Sequence, residues 1–465
     1  MEKMKLNSSL LLLLCLFQYG LVGEVSTASA EGSASDSPST SHGSSPPHQV
    51  KEECSTISLE TQRAVGGAVA KLGLKLLENL QPGPEHPNVV LSPLSVSLAL
   101  SQLALGALNE TEKHLLGVLH ASDLPDYYKT LSCLQEQLIS KAINVASRIY
   151  LKPGFDLKKD FVEKSLHLFK SIPTPLTSVE EVNQWVEGAT SGQINNFLSS
   201  LPPNVILMLI NAVHFKGEWK SRFDPRFTTK DLFFIDKQIA VKVDMMMDSK
   251  YPLSMFVDGE QGTQVARFPF QGNTSFLVVM PMPTHNLSRA AANLNITDLY
   301  ERLPSETTML VKLPKFKLEY KQDLQSALIN MGLGSLFSGP DLSGIAAGPL
   351  VVSGVQHASS MELDEEGAEA SATTSVILVR TIPTFAVNMP FFFAIVDDVS
   401  HMPLFLGMVT NPNPGATVEL SDDPEMRPWS SSMPTDVPQG DDPYWDNMLH
   451  DVSDEGGKTR QFIKY

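Results

Sequence analysis

The sequence lacks the motifs that enzymes and cofactor-binding proteins commonly carry. It contains no H-E-x-x-H, no paired C-x-x-C, no P-loop, no nucleophile elbow and no EF-hand spacing. A Ser/His/Asp set can be drawn from so many residues, but nothing in the spacing positions one. We therefore expect a protein that is not an enzyme and that uses neither a cofactor nor a metal ion.

Basic residues are in short supply. The chain has 35 Lys and Arg against 52 Asp and Glu, which gives a formal net charge of −17. Such a balance disfavours binding to nucleic acid and to anionic membrane surfaces, and it favours solubility. We expect neither nucleic acid nor membrane as a partner.

Long hydrophobic runs are also missing. The apolar run at residues 10–17 is too short to span a bilayer, and no later stretch competes with it. Two lysines precede this run, and Ala28-Ser29-Ala30 offers a small-residue cleavage site, so residues 1–30 resemble a signal peptide. Cleavage after Gly23 is the alternative. The pattern predicts a secreted protein.

Cysteine is scarce, with three residues in the chain. Cys15 would be lost with the signal peptide, which leaves Cys54 and Cys133. In an oxidising compartment a disulfide between them is the default, and two separate buried thiols are the alternative. A secreted context also makes the Asn-x-Ser/Thr triplets credible glycan sites on surface loops. These triplets begin at Asn109, Asn273, Asn286 and Asn295.

Apolar residues are rare at both ends of the mature chain. Residues 31–54 are rich in Ser, Pro and Gly, and residues 416–465 are acidic and rich in Pro and Ser. Neither stretch can bury enough apolar surface to order itself, so both are predicted to be disordered tails. Residues 55–415 remain as one domain.

Within that domain, apolar patterns predict both helices and strands. Val65, Val69, Leu72 and Leu76 recur at helical spacing. Residues 205–213 form a nearly unbroken apolar run, which is typical of a central strand buried on both faces. Residues 391–396 and 404–409 are predicted to close the domain as two apolar strands.

The stretch 365–390 has the most informative pattern. Two acids and a glycine lead into small residues, then four apolar residues, then a lone Arg380. On the two-residue period of a strand, one face carries only small side chains and could be buried, whereas a slip by one residue would bury Glu369. The small face consists of Ala368, Ala370, Ala372 and Thr374. This pattern predicts a segment that could pair with a β-sheet as an additional strand. An ordinary flexible linker is the alternative.

Several motifs resemble those of the serpins, the serine protease inhibitors. They are N-x-x-x-S-P-x-S at 88–95, N-A-x-x-F-K-G-x-W at 211–219, and P-F-x-F-x-I followed by F-x-G-x-x-x-N-P within 390–412. The resemblance covers about residues 55–415. It implies an α+β fold with three β-sheets, about nine helices and an exposed reactive-centre loop, for which 365–390 is the counterpart.

The resemblance also implies a mechanism for this loop. A target protease attacks the carbonyl of Arg380, and the small-residue hinge then inserts into the main sheet and traps the acyl-enzyme. Most inhibitory serpins have one more residue before the cleaved bond, which would place cleavage after Thr381. Only Arg380 offers a basic side chain, so we assign the reactive bond to Arg380–Thr381. The hinge residues are Glu366, Gly367, Ala368, Glu369, Ala370, Ser371, Ala372 and Thr374.

A second group of residues matches the positions beneath the opening of the serpin main sheet. The resemblance assigns this role to Ser92, Ser95, Asn211 and His357. Ser92 and Ser95 could instead simply cap a helix, since serine accepts hydrogen bonds from the free N–H groups of a first turn. His357 could be a lone core histidine whose hydrogen bonds are satisfied.

The expected partners follow from Arg380 and from the resemblance. An arginine guanidinium suits the acidic pocket of trypsin-like proteases. Within the family, the chain is similar to the inhibitors of plasmin, which would make it a monomeric regulator of fibrinolysis. Trypsin, kallikrein and thrombin are alternative targets. The rival function is that of a non-inhibitory binding serpin, but such members tend to carry bulky, charged or proline residues in the hinge.

The same similarity assigns a role to the C-terminal tail. It implies that Lys458 and Lys464 bind the lysine-binding kringles of plasmin or plasminogen. Kringles prefer a C-terminal lysine, whereas here Tyr465 follows Lys464, so trimming of Tyr465 or an internal lysine ligand is required. Fibrin is a further expected partner, with Gln49 as the one candidate for attachment.

Overall fold

Fourteen β-strands and eight α-helices make up the described part of the computed structural model. It describes residues 54–83, 87–139, 143–282, 287, 294–367 and 382–420. The helices are α1 Leu59–Asn79, α2 Pro93–Ala104, α3 Asn109–Val118, α4 Tyr127–Ile139, α5 Lys159–Phe169, α6 Val179–Ala189, α7 Ile296–Arg302 and α8 Gln325–Leu328. The strands are β1 Asn88–Leu91, β2 Ile143–Leu151, β3 Thr174–Pro175, β4 Leu207–Lys216, β5 Thr229–Phe234, β6 Ile239–Asp258, β7 Thr263–Pro269, β8 Thr274–Pro281, β9 Thr307–Asp323, β10 Val352–Leu363, β11 Thr384–Ala386, β12 Phe391–Asp397, β13 Pro403–Val409 and β14 Val418–Leu420.

The strands pair into three sheets. The main sheet has the order β9-β10-β4-β2-β3, and the second sheet has the order β6-β7-β8-β12-β13-β1. In the third sheet, β11 pairs with β9, and β5, β14 and β9 pair with β6. Because β6 and β9 are long enough to serve two sheets each, the hydrogen bonding runs continuously through all three. The predicted α+β fold with three sheets is confirmed.

Strand β4 lies at the centre of the main sheet and pairs with unlike neighbours. It runs antiparallel to β2 but parallel to β10, and His357 lies opposite Asn211 in the parallel pair. On β10, the other neighbour is β9, which is antiparallel. The apolar run at 205–213 therefore forms a central strand, as predicted.

The two faces of β4 pack against different cores. Leu209 and Val213 face the large core, which also contains α1 and α2, and we call this the inner face. Ile210 and Ala212 face a smaller core beneath α6, and we call this the outer face. Because both faces are covered, a polar side chain on this strand must find a partner within the protein.

Helix α1 and the two closing strands follow their predicted patterns. Val65, Val69, Leu72 and Leu76 are all fully or nearly fully buried on one face of α1. Every residue of β12 and β13 is buried, and these strands pair antiparallel in the second sheet. In the described ranges, no helix has both the length and the apolar character needed to cross a membrane.

Cys54 and Cys133 are joined by a disulfide, with 5.5 Å between their Cα atoms. The bond ties the chain just ahead of α1 to α4, across 79 residues of sequence. The predicted disulfide is thus present, and the alternative of two separate thiols is wrong. Such a bridge stabilises a protein mainly because it restricts the unfolded chain.

We predict that the double variant Cys54→Ser/Cys133→Ser will be less stable than the wild type. A loop of this length corresponds to a loss of up to about 4 kcal/mol in the free energy of unfolding. Guanidinium denaturation followed by circular dichroism measures the change. Reduced and alkylated wild-type protein should shift similarly, and an unchanged midpoint in both would contradict the prediction.

Candidate functional site

The structure describes the two ends of the predicted reactive loop. Glu366 and Gly367 lie three and four residues after the end of β10, and β11 begins at Thr384. The remaining hinge residues, 368–372 and Thr374, lie outside the described residues, and so do Arg380 and Thr381. The described part of the site therefore consists of the strands that anchor the two ends of the loop.

The four residues predicted to lie under the sheet opening come together on the inner face. Asn211 on β4 and His357 on β10 are neighbours, with 2.8 Å between Asn211 Oδ1 and His357 Nδ1. Ser95 Oγ donates to the same Oδ1 over 2.6 Å, and Asn211 Nδ2 donates to the Ser95 carbonyl over 2.8 Å. All of these side chains are buried. The cluster links the parallel strand pair to the start of α2.

The hydrogen bonds assign the protonation state of His357. Its Nε2 accepts from the backbone N–H of Ser92 over 3.4 Å, so Nε2 carries no proton. The proton therefore lies on Nδ1 and is donated to Asn211 Oδ1. Complete burial lowers the pKa of His357 to about 3. The imidazole is neutral, because a charged ring would point a second N–H at the donor of Ser92.

Both interpretations of the serines hold at once. Ser92 is the N-cap of α2, and its Oγ accepts from the backbone N–H of Ser95 over 3.4 Å. The same turn supplies the Ser95 hydroxyl to Asn211 and the Ser92 N–H to His357. The first turn of α2 therefore carries both the cap and the cluster, and His357 is not a lone core histidine.

Trp219 holds the chain where it leaves β10. Its indole N–H donates to the carbonyl of Asp364 over 2.6 Å, and its backbone N–H donates to the carbonyl of Glu366 over 2.9 Å. Gly367 packs directly on Trp219, where an added Cβ would overlap the tryptophan carbonyl oxygen. The indole ring is fully buried and stacks on Phe270. Only glycine therefore fits at 367 in this arrangement.

Two lysines complete the hold on this segment. Lys315 Nζ lies 2.7 Å from a carboxylate oxygen of Glu365, whose other oxygen accepts from Thr228 over 2.7 Å. Burial raises the pKa of the Glu365 carboxyl, but the hydrogen bonds from Lys315 and Thr228 outweigh it, so the pKa lies below its ordinary value. The carboxylate is therefore charged in the folded protein.

Lys216, at the end of β4, contacts three acids across the strand junction. Its Nζ lies 3.0 Å from Glu366, 3.1 Å from Asp364 and 3.6 Å from Glu362. The hydrogen bond to Glu366 is the main reason that the pKa of Lys216 is raised. This cation is only partly exposed and joins β4 both to β10 and to the start of the loop.

Sequence reasoning missed the roles of Trp219, Lys216 and Lys315. Trp219 and Lys216 lie within the motif at 211–219, but their partners lie about 145 residues further along the chain. The four acids within 362–366, next to a hinge, could have suggested a cationic partner. Nothing in the sequence says which lysine supplies it.

The predicted glycan sites that the structure describes lie on the surface. Asn109 begins α3 and donates to Asp341 over 2.8 Å, Asn273 lies in a turn with a positive φ of 61°, and Asn295 caps α7. All three are exposed. Asn286, Lys458 and Lys464 lie outside the described residues. Glycan occupancy and kringle binding stay predictions.

We predict that His357 makes the stability of the protein depend on pH. Its pKa in the folded state, about 3, lies below the ordinary value of 6.5. Between these values the unfolded chain takes up a proton that the native protein excludes, so stability present above pH 6.5 is lost as the pH falls. The equilibrium constant for unfolding should rise by up to about tenfold per pH unit from this residue.

The variant His357→Gln tests this dependence, because an amide can keep one donor and one acceptor. Denaturation midpoints between pH 4 and 7 should fall less steeply for the variant than for the wild type. His114→Gln, on the exposed face of α3, is the matched control and should keep the wild-type slope. Parallel curves for His357→Gln and wild type would contradict the assignment.

Similar proteins are known for most of the chain. Residues 67–412 match the family model described as Serpin (serine protease inhibitor). Alpha-2-antiplasmin of Bos taurus is 42% identical over 408 residues, which cover 86% of this chain and 83% of the bovine protein. Alpha-2-antiplasmin of Mus musculus is 47% identical over 342 residues, covering 72% of this chain and 70% of the mouse protein. Human pigment epithelium-derived factor is 31% identical over 75% of this chain and 87% of its own length.

Solved structures agree with the sequence comparison. Mouse protein-Z dependent protease inhibitor superposes with a TM-score of 0.69 at 29% identity, over 76% of this chain and 98% of its own. Uncleaved ovalbumin gives a TM-score of 0.68 at 25% identity, over 75% of this chain and all of its own. The anchored loop, the cluster beneath the parallel strand pair and these matches lead to one conclusion: the chain belongs to the serpin family.

Proposed function

We propose that this protein is a secreted suicide inhibitor of trypsin-like serine proteases, that plasmin is its main target, and that it regulates fibrinolysis. Residues 55–415 form the inhibitory domain, and residues 416–465 form a C-terminal extension. The proposal rests on one observation above all. The chain enters the predicted loop directly from β10, at the end of the parallel pair that β10 forms with β4.

The parallel pair provides the place for insertion. A strand that returns from the end of β10 runs antiparallel to β10 and, when it lies between the two, also antiparallel to β4. One parallel junction would then become two antiparallel ones, which are slightly more stable per residue. The small side chains of Ala368, Ala370 and Ala372 suit the crowded inner face. Insertion of a reactive loop into a β-sheet is an established form of strand addition among serpins.

The chemistry precedes the insertion. The serine of the protease attacks the carbonyl carbon of Arg380 and forms an ester, and the bond to the nitrogen of Thr381 breaks, with that nitrogen leaving as an amine. The freed segment then inserts and carries the attached protease with it. Distortion of the protease prevents water from completing hydrolysis. The guanidinium of Arg380 selects proteases with an acidic specificity pocket, and the antiplasmin relatives favour plasmin among them.

The third sheet supports a role for the C-terminal extension. The extension begins with β14, which pairs with β6, while β11 begins just after the proposed reactive bond and reaches β6 through β9. The C-terminal extension and the segment that follows the reactive bond are therefore both connected to strands of the third sheet. Lys458 and Lys464 would bind kringles of plasmin and raise the local concentration of the loop at the active site.

We predict that Arg380→Ala will abolish trapping of plasmin and trypsin. Removal of the guanidinium leaves no basic side chain for the acidic pocket, so the acyl-enzyme should not form. Complexes that survive a denaturing gel measure trapping. Thr381→Ala, which keeps the arginine, is the matched control and should still trap both proteases. Undiminished complexes with Arg380→Ala would remove the assignment of the reactive bond.

Deletion of residues 456–465 should slow association with intact plasmin alone. Trypsin, and plasmin that lacks its kringles, should react at the wild-type rate, because the loop itself is unchanged. Lys458→Gln and Lys464→Gln divide the effect between the two lysines. Second-order rate constants from progress curves are the measurement, and equal slowing for all three proteases would leave the tail without this role.

A further inference from the structure

A cavity of about 310 Å³ lies beside β2, near the edge of the main sheet. Residues of α2, α4, α5 and α6 form the rest of its wall, together with the segment that follows α5. Strand β2 pairs with β4 over its whole length, whereas β3 covers only its last two residues in the described ranges. Residues 145–148, which line the cavity, therefore have a neighbouring strand on one side only. The volume is that of a small ligand site, for which about 300–1,000 Å³ is typical.

Most residues that line this cavity are apolar, and two of them extend its apolar surface to the solvent. Leu98 and Phe169 are buried in the wall, and Trp185 is half-buried. Leu166 and Ile172 also line the cavity, yet they are 54% and 44% exposed. The cavity therefore has both an apolar wall and an apolar rim. The apolar part of a ligand would be removed from water at both.

The charged residues that line the cavity are both cations. They are Arg148 on β2 and Lys170 directly after α5, and no acid is among the described residues that line it. The guanidinium carbon of Arg148 lies 4.2 Å from the centre of the Trp185 ring, and no carboxylate in the described ranges forms an ion pair with it. Arg148 also interacts with Tyr150, whose pKa is raised by burial while the guanidinium opposes the rise. Lys170 is partly neutralised, because its Nζ lies 3.0 Å from Glu136. In a chain with a net charge of −17, such a wall favours an anionic ligand.

Gln135 on α4 adds a buried polar group without a partner. Its side chain lines the cavity and is 8% exposed, and its amide makes no hydrogen bond within the described ranges. Gln102 on α2 lines the same cavity, but it donates to the Ser165 hydroxyl over 2.5 Å and to the carbonyl of Ser171 over 3.0 Å. Buried polar groups are nearly always paired, so a free amide beside a cavity indicates where a ligand can accept a hydrogen bond.

We propose that this cavity binds an amphipathic carboxylate of the fatty-acid type. Arg148 and the Gln135 amide are the partners of its head group, and its chain follows the apolar wall towards Leu166 and Ile172. A carboxylate only accepts hydrogen bonds, whereas the guanidinium and the amide NH₂ group both donate them. A bound molecule would join α4 and α6 to the edge of the main sheet and stabilise the folded protein. This binding does not depend on the proposed inhibition of proteases.

Calorimetric titration of the full-length protein with dodecanoate, below its micelle concentration, tests the proposal. Dodecanoate should bind in a one-to-one ratio and raise the thermal midpoint. Dodecanol and dodecyltrimethylammonium carry the same chain with a neutral and a positive head group. Each should bind at least about tenfold more weakly, as expected for the loss of a charged hydrogen bond. Equal binding of all three compounds, or binding without a defined ratio, would overturn the proposal.

Arg148→Gln should weaken dodecanoate binding by about tenfold, because the head group loses its charged partner. Dodecanol binding should change little. Lys152→Gln is the matched control, since this exposed lysine directly after β2 carries the same charge but does not line the cavity. It should bind dodecanoate as the wild type does. An equal loss in both variants would show a general effect of charge and contradict the assigned site.

Gln135→Leu should change stability and affinity in opposite directions. Without a ligand, it removes an unpaired buried amide at nearly the same volume, so the guanidinium midpoint should rise. With dodecanoate, the affinity should fall several-fold, because one donor is lost. Gln102→Leu removes an amide that is already paired, so this matched control should lower the midpoint. A lower midpoint for Gln135→Leu would mean that its amide is satisfied in the folded protein, and would contradict its role.

Cross-linking locates the chain of the ligand. A dodecanoate that carries a diazirine near the end of its chain should label the peptides that contain Leu166 and Ile172, as read by mass spectrometry. An excess of plain dodecanoate should suppress this label. A label found only in other peptides would overturn the placement of the chain and, with it, the proposal.

Discussion

The parallel contact between β4 and β10 is the constraint on which the rest of this structure depends. Every group that distinguishes the site lies across it: the His357–Asn211 hydrogen bond, the contacts of Lys216, and the hold of Trp219 on the chain after β10. Parallel pairing is slightly weaker per residue than antiparallel pairing. Side chains therefore contribute much of what keeps these two strands together.

The buried polar groups on the two faces of this contact differ in how well their hydrogen bonds are satisfied. On the inner face, Ser95, Asn211 and His357 satisfy one another, and the imidazole stays neutral because its surroundings disfavour a charge. On the outer face, two atoms, His214 Nδ1 and Ser360 Oγ, have no hydrogen-bond partner among the described residues. A buried group that lacks a hydrogen bond is far more costly than one that has it. The junction is therefore closed by a connected set of hydrogen bonds on its inner face, whereas its outer face carries buried polar atoms without such bonds.

The glycine and tryptophan at the exit of β10 define where the loop begins. Trp219 is fixed by the aromatic residues around it, including Phe223, Phe268 and Phe270. It binds the backbone of residues 364 and 366, so the chain leaves the sheet at one position. Lys315 and Lys216 neutralise the acids of this short segment, of which Asp364 and Glu365 are buried. These contacts hold the chain up to Gly367 and define the point from which the following residues depart.

Local patterns determined much of this protein before any contact was known. The apolar run of β4, the periodic face of α1, the two buried closing strands and the Cys54–Cys133 pairing all follow from composition, spacing and compartment, because burial and period act over a few residues. The joining of β4 to β10 in parallel, the partners of Lys216 and Trp219, and the two unpaired atoms on the outer face were decided only by the tertiary structure. These contacts link residues more than 140 positions apart, and their geometry depends on how the strands of the main sheet pack between two cores.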